Sequence, residues 1–172
     1  MFSILVVTRN SEKLLANTLS ALVPAVIDGL LRRVVVVDQD SDDETKLVAE
    51  GAGCALCSED QLTEALAGLR TDWLLMLLPG AILADGWEDA VRRHMDESRV
   101  PARFTLPQEE RWGFIGKLFS SKPSLGSGLL VRLDVLKPFP SSVREMEDLP
   151  HRLKPVRLPQ IIIPPQTTKG GA

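Results

Sequence analysis

An acidic segment with alternating carboxylates is the part of this sequence best suited to chemistry. It reads D-Q-D-S-D-D-E from Asp38 to Glu44 and follows an apolar run. Asp38 closes that run, where a carboxylate at a sheet edge can accept hydrogen bonds from a base N–H or a ribose hydroxyl, or can form the turn itself. Both roles stay open. A calcium loop is excluded, because its sixth and twelfth positions, here Asp43 and Ala49, require glycine and a bidentate glutamate.

The last three acids of this segment have a simpler explanation. Asp42, Asp43 and Glu44 precede a short predicted helix that runs to about Ala52. Carboxylates stabilise the positive end of a helix, so we interpret these three side chains as helix caps.

A second acidic group lies ahead of His151 and Arg152. Glu145, Glu147 and Asp148 fall on a predicted short helix. A carboxylate there can take the proton of an acceptor hydroxyl if it faces a cleft. The local pattern itself favours a solvated helix start.

Basic residues and cysteines are few and scattered. Arg9, Arg111 and Lys117 can bind phosphate oxygens, although isolated basic residues are usually surface charge. Cys54 and Cys57 have CxxC spacing, but no nearby histidine pair completes a zinc site, so we expect two partly buried thiols.

Alternating strands and helices must position these residues. Apolar runs predict strands at 3–8, 33–38, 55–57 and 73–78, with helices between them and a further helix at 87–96. Such alternation gives right-handed βαβ units, so we expect an α/β fold with a mostly parallel central sheet and helices on both faces. Ligands of these sheets bind at the carboxyl ends of the strands.

The second half of the chain loses this alternation. Strands are predicted at 102–106, 128–132 and 161–163, around a mixed, basic stretch at 109–121, which gives this half an α+β character. We expect one domain with an α/β half at 1–98, an α+β half at 99–168 and a frayed tail at 169–172.

The turn after the first strand excludes two nucleotide-binding folds and disfavours a phosphorelay receiver. It reads T-R-N-S-E from Thr8 to Glu12, without the glycines of a dinucleotide fold or the Gly-Lys-Ser/Thr of a P-loop. A phosphorelay receiver is disfavoured as well, because its acidic pair would follow this strand directly.

Composition narrows the partners further. The chain has 172 residues, with 20 Lys+Arg against 23 Asp+Glu and a net charge of −3, so nucleic acid is disfavoured as a partner. The longest apolar run is far shorter than the roughly 20 residues that span a bilayer, and the first residues lack the basic start of a signal peptide. We therefore expect a cytoplasmic protein without a transmembrane segment; its oligomeric state is not predictable.

Taken together, these segments resemble the family 2 glycosyltransferases, in particular their short bacterial members. The likeness spans about residues 3–168 and rests on the order and spacing of six segments. In chain order they are V-V-T-R-N at Val6–Asn10, V-V-V-D-Q-D-S-D-D at Val35–Asp43, T-D-W-L-L-M-L at Thr71–Leu77, Gly86-Trp87, G-S-G-L-L-V-R at Gly126–Arg132, and M-E-D-L-P-H-R-L at Met146–Leu153.

The resemblance implies the GT-A fold and an inverting sugar transfer from a nucleotide-diphosphate sugar to an acceptor hydroxyl. It makes 1–98 the nucleotide-binding half and 99–168 the acceptor-side half. It implies Asp148 as the catalytic base. It implies nucleotide contacts from Thr8, Arg9, Asn10, Asp38, Asp40 and Ser41, and an acceptor side formed by Gly126, Gly128, Arg132 and Glu147.

One departure from the family pattern concerns the metal. The family places an Asp-x-Asp pair after the fourth strand to hold Mn²⁺ or Mg²⁺, whereas this chain has Leu78-Pro79-Gly80-Ala81. The nucleotide-contacting Arg and Asn-x-Gly expected at 58–65 are also missing. A divalent metal is therefore expected of the family, but its ligands are absent.

Two functions follow from these observations. One is a glycosyltransferase that works without the usual metal site, with Arg9 or Lys117 offsetting the diphosphate charge. The other is a degenerate GT-A domain that binds a ligand or a protein without turnover. A related nucleotidyltransferase is disfavoured, because the first turn has neither the glycines nor the lysine.

Overall fold

A computed structural model describes residues 1–107 and 124–165. Its strands are β1 (Phe2–Thr8), β2 (Leu31–Asp38), β3 (Ala55–Ser58), β4 (Trp73–Leu77), β5 (Ile82–Leu83), β6 (Ala102–Thr105), β7 (Leu129–Arg132) and β8 (Val156–Ile163). Its α-helices are α1 (Glu12–Ala21), α2 (Val23–Ile27), α3 (Thr45–Gly51), α4 (Leu62–Ala67), α5 (Trp87–Glu97) and α6 (Val143–Leu153). Short 3₁₀ turns lie at Glu59–Gln61 and Leu125–Ser127.

The strands form one mixed sheet in the order β3-β2-β1-β4-β7-β6-β8-β5. β3, β2, β1 and β4 are mutually parallel, so their carboxyl ends share one edge of the sheet, which we call the rim. β7 is antiparallel to β4 and therefore begins at the rim and ends at the opposite edge. The predicted fold class, a mostly parallel sheet with helices on both faces and a mixed second half, is confirmed.

Two apolar layers cover the two faces of the sheet. In β1, Phe2, Ile4 and Val6 join the layer that contains α1 and α5, whereas Leu5 joins the layer of α4 and α6. Successive side chains of a strand point to opposite faces, so a continuous apolar run is what a sheet covered on both sides requires.

The helix predicted after β1 is interrupted. It ends at Ala21, and α2 begins at Val23 with Pro24 in its first turn. Proline lacks the N–H that an inner helical turn needs but is compatible with a first turn, so the chain restarts there. Val26 lies in α2 and is 55% exposed.

Some predictions lie outside the described residues. The basic stretch at 109–121, with Arg111 and Lys117, and the tail at 169–172 belong to this group. Among the helices of 1–107 and 124–165, none is long and apolar enough to cross a membrane.

Candidate functional site

A cavity of about 440 Å³ opens at the rim beside the ends of β2 and β3. Asp38 pairs in register with Thr8 of β1 and Ser58 of β3, which brings three strand ends together. The lining residues, which define the rim cavity, are Arg9, Asp38, Gln39, Asp40, Ser58, Glu59 and Asp60. This lining has four carboxylates and one cation, Arg9, so it is suited to ligand groups that donate N–H or O–H hydrogen bonds rather than to phosphate groups.

Asp38 is buried and organises the loop that follows it. Its Oδ1 accepts a hydrogen bond from Ser41 Oγ at 2.5 Å, and its Oδ2 accepts one from Ser41 N at 3.0 Å. Lys46 Nζ lies 3.4 Å from Oδ2. Burial would raise the pKa of Asp38, but the Ser41 hydrogen bonds and the Lys46 ammonium outweigh it and hold the pKa below its ordinary value. Asp38 therefore does form the turn, and its carboxylate also borders the rim cavity.

This depressed pKa makes stability depend on pH. Asp38 is ionised more readily in the folded chain than in the unfolded one, so its contribution is present above the unfolded pKa of about 3.9 and is lost as pH falls through the folded pKa. We expect the difference in unfolding free energy between the wild type and Asp38→Asn to narrow from pH 7 to pH 3. Urea denaturation at both pH values measures it, and an unchanged difference would contradict the assignment.

Asn10 and Ser41 join two loops instead of lining the cavity. Asn10 N donates to Ser41 Oγ at 2.9 Å, and Asp42 N donates to Asn10 Oδ1 at 2.8 Å. Asn10 has φ of +46°, a conformation that asparagine tolerates better than most residues. These bonds hold the β1–α1 turn against the β2–α3 loop.

Asp43 strengthens the same junction. It accepts hydrogen bonds from Thr45 N at 3.0 Å and from Glu12 N at 3.2 Å, which lie at the starts of α3 and α1. The capping role predicted for Asp43 is observed, and one carboxylate serves two helices.

Thr8 does not reach the rim cavity. Its side chain is 2% exposed, and within the described residues its hydroxyl has no hydrogen-bond partner. Of the residues predicted for the nucleotide, Arg9, Asp38 and Asp40 line the cavity, whereas Asn10 and Ser41 support it from behind.

The loop after β4, where the family pattern has metal ligands, packs against α1. Gly80 N donates to Thr18 Oγ1 at 2.7 Å and to Leu14 O at 3.1 Å. Gly80 has φ of +88°, and a Cβ there would lie 2.9 Å from Leu14 Cδ2. Across 1–107 and 124–165, no group of three His, Cys, Asp or Glu side chains is placed to hold a metal. This loop does not fit a hard divalent cation, which needs carboxylate oxygens.

The acceptor-side residues are split between the two edges of the sheet. Gly126 and Gly128 precede β7 and lie at the rim, where a Cβ on Gly128 would meet Leu77 and Phe104 side chains. Arg132 pairs with Trp73 at the start of β4, which is the opposite edge. The structure does not bring Arg132 to the rim, because β7 runs antiparallel to β4. Its guanidinium instead binds Asp134, with Nη2 2.8 Å from Oδ2.

Glu147 and Asp148 lie in the middle of α6, and both are exposed. The buried face of this helix carries Val143, Met146 and Leu149, so Asp148 projects on the opposite side. The helix itself reaches the rim, because Val143 N donates to Glu59 Oε1 at 2.9 Å. Asp148 is therefore open to solvent but is not among the residues that line the rim cavity.

Glu59 is a rim residue that the sequence reasoning missed. Besides Val143 N, it accepts a hydrogen bond from Gln39 Nε2 at 3.1 Å, so it links the β2 end to α6. The sequence contains a signal for it, because Ser58 ends β3 as Asp38 ends β2, and two carboxylates, Glu59 and Asp60, come directly after it.

The two cysteines are partly buried and unbridged. Burial raises the pKa of both thiols, and Asp60 raises that of Cys57 further. Thiols with a raised pKa are poor nucleophiles at neutral pH, so these two cysteines are not suited to nucleophilic catalysis.

Comparison with known proteins identifies solved structures that share this fold. No family model matches the chain, and no curated protein matches it. The crystal structure of Mycobacterium tuberculosis glucosyl-3-phosphoglycerate synthase superposes with a TM-score of 0.67 at 15% identity, covering 98% of this chain and 73% of that one. Its complex with Mn²⁺ and UDP-glucose gives 0.67 at 14% identity, with 94% and 69% covered. The chain has the GT-A fold.

The GT-A domain described here is shorter than these structures. In a further complex of the same synthase, with Mn²⁺, UDP and phosphoglyceric acid, the TM-score is 0.61 at 15% identity, and the match covers 79% of this chain but 57% of that one. At such low identity the likeness establishes the fold alone.

Proposed function

We propose that this GT-A domain binds a nucleotide-diphosphate sugar at the rim cavity and transfers the sugar to an acceptor hydroxyl without the usual metal site. The observation that carries the proposal is the rim cavity itself. A buried carboxylate borders it at a strand end of a GT-A sheet, which is where open α/β sheets bind ligands. Structures with this fold contain UDP and UDP-glucose.

The cavity lining favours the nucleoside end of the donor. Asp38, Asp40 and Glu59 present oxygens that can accept hydrogen bonds from a base N–H and from ribose hydroxyls. Arg9 is the one cation among the described residues that line this cavity, and its side chain is exposed. It can therefore contact the diphosphate at the mouth of the cavity, away from the carboxylates.

For the transfer step we carry over the base role of Asp148 from the family resemblance; this residue is exposed on α6, whose first residue, Val143, contacts Glu59 at the rim. The acceptor oxygen attacks the anomeric carbon from the side opposite the diphosphate, the bond from that carbon to the diphosphate oxygen breaks, and the diphosphate leaves with the electron pair. The acceptor proton passes to the Asp148 carboxylate. Attack from the opposite side inverts the anomeric centre.

Binding is tested first, by thermal shift and calorimetry with uridine, UDP, UDP-glucose and a GDP-sugar. At a ligand concentration of 100 times Kd, the fold should gain about 2.7 kcal/mol, with little change when Mn²⁺ is added. Arg9→Gln should weaken UDP binding about tenfold or more while leaving uridine binding unchanged, because a charge-assisted hydrogen bond contributes about 1.5–3 kcal/mol.

Arg32→Gln is the matched control, since Arg32 is an exposed arginine near the amino end of β2. Equal loss of UDP binding in both variants would contradict the role of Arg9. Transfer is tested separately: Asp148→Asn should keep donor binding and lose sugar transfer, and full transfer in this variant would remove Asp148 as the base.

A second candidate is a GT-A domain that binds a ligand or a protein without turnover. The loop after β4 favours it, because Gly80 is packed against Leu14 where the family holds its cation. Donor binding without transfer in the wild type would support this candidate, and transfer would exclude it.

A further inference from the structure

Two arginines stand side by side on neighbouring strands of the second half. Arg103 of β6 and Arg157 of β8 are register partners in a parallel pair. Ala102 and Phe104, which flank Arg103, are buried in the layer of α1 and α5, so Arg103 points to the other face of the sheet. Register partners on adjacent strands lie on the same face, about 5 Å apart.

Their positive charges are not balanced by the described part of the chain. Within 1–107 and 124–165, the ion pairs closer than 4 Å involve other residues. Arg103 Nε is buried and has no acceptor among those residues. Burial lowers the pKa of Arg103, and the charge of Arg157 lowers it further. Like charges directly opposite each other destabilise a sheet, so the pair costs the fold stability unless an anion joins it.

The surroundings strengthen the attraction for an anion. The next register pair on this face is Thr105 and Ile161, and Ile161 is followed by Ile163, which pairs with Ile82 of β5. The three isoleucines are 43–45% exposed and form an apolar strip farther along the same face of the sheet. A charge pair beside apolar surface is less screened by water than one on a polar surface.

We propose that Arg103 and Arg157 form a binding site for the phosphate or carboxylate group of a small molecule. Two guanidinium groups can each direct two parallel N–H donors to an oxyanion, which is the geometry that arginine offers better than lysine. The site goes beyond the proposed donor binding: it lies on β6 and β8, whereas the rim cavity lies at β2 and β3, at the other end of the strand order.

Anion binding is tested on the whole chain by thermal denaturation in inorganic phosphate, methyl phosphate and acetate, each against NaCl of equal ionic strength. At about ten times Kd, the specific anion should raise Tm by about 4 °C. Phosphate and methyl phosphate acting alike would assign a phosphomonoester, and acetate acting alone would assign a carboxylate. No rise above NaCl with any of the three would overturn the proposal.

Variants assign the effect to these residues. Arg157→Gln and Arg103→Gln should each abolish the rise, whereas Arg93→Gln, an exposed arginine of α5, should retain it. Without added anion and at low salt, Arg157→Gln should leave Tm unchanged or raise it, because it removes the repulsion. A normal phosphate rise in Arg157→Gln, or a fall of its Tm at low salt, would overturn the site even if Arg103→Gln failed to fold.

Discussion

Gly128→Ala is expected to lower the free energy of unfolding by about 3 kcal/mol. Gly128 has φ of +63° and ψ of +161°, a backbone region that is essentially restricted to glycine. A Cβ would also lie 3.2 Å from Phe104 Cδ2 and 3.3 Å from Leu77 Cδ2, both on buried residues. Neither the Phe104 ring nor the Leu77 side chain can move far in a packed interior. The backbone strain and the steric crowding therefore both lower the free energy of unfolding.

Gly126→Ala is the matched control for this substitution. Gly126 is not among the glycines with positive φ, and its nearest contact would be Ser124 Oγ at 3.3 Å. We expect a change of less than about 1 kcal/mol there. Urea denaturation of both variants measures the two values, and equal losses would mean that the backbone at Gly128 is less constrained than its dihedral angles indicate.

Asp38→Ala is expected to cost about 2–3 kcal/mol of stability and to abolish nucleoside binding. The substitution leaves the hydroxyl and the amide of Ser41 without their acceptor, and Ser41 is itself buried. A buried donor that loses its partner costs the fold its full desolvation penalty. Lys46 is half exposed, so water replaces its partner at little cost.

Asp42→Ala separates this effect from a general loss of loop charge. Asp42 is exposed and belongs to the same acidic segment, so its removal should change stability by less than about 0.5 kcal/mol. For Asp38→Ala, calorimetry with uridine measures the loss of binding, and urea denaturation measures the loss of stability. A stable Asp38→Ala protein that still binds uridine would remove Asp38 from both roles.

The positions and the parallel direction of the first four strands could be predicted because apolar runs alternate with helical segments in this half of the chain. A run such as Val34 to Val37 is suited only to a sheet covered on both faces, and parallel strands place their carboxyl ends together. Arg9, Asp38 and Asp40 therefore share one edge whatever the details of packing. The site residues at the ends of β1 and β2 can therefore be predicted from the local sequence pattern.

The strand directions and the helix packing in the second half of the chain could not be predicted from such apolar runs. Arg132 sits at the edge away from the rim because β7 runs antiparallel to β4, and strand direction depends on connections that a short apolar run does not encode. Glu59 joins the site through Val143, which is distant in sequence. The solvent-facing position of Asp148 likewise depends on which side of α6 packs on the sheet.

The hydrogen bonds between the turn at Asn10 and the loop at Ser41 have a bearing on affinity. Asn10 joins the two loops to each other, and Asp43 joins them to the starts of α1 and α3, so the loops beneath the proposed nucleoside site are already ordered in the free protein. The protein therefore loses little conformational entropy when the proposed ligand binds, so individually weak contacts are enough to hold that ligand. Under the proposed function, ligand preference then depends on the exposed side chains at the cavity entrance, which can be substituted during evolution without disrupting these loops.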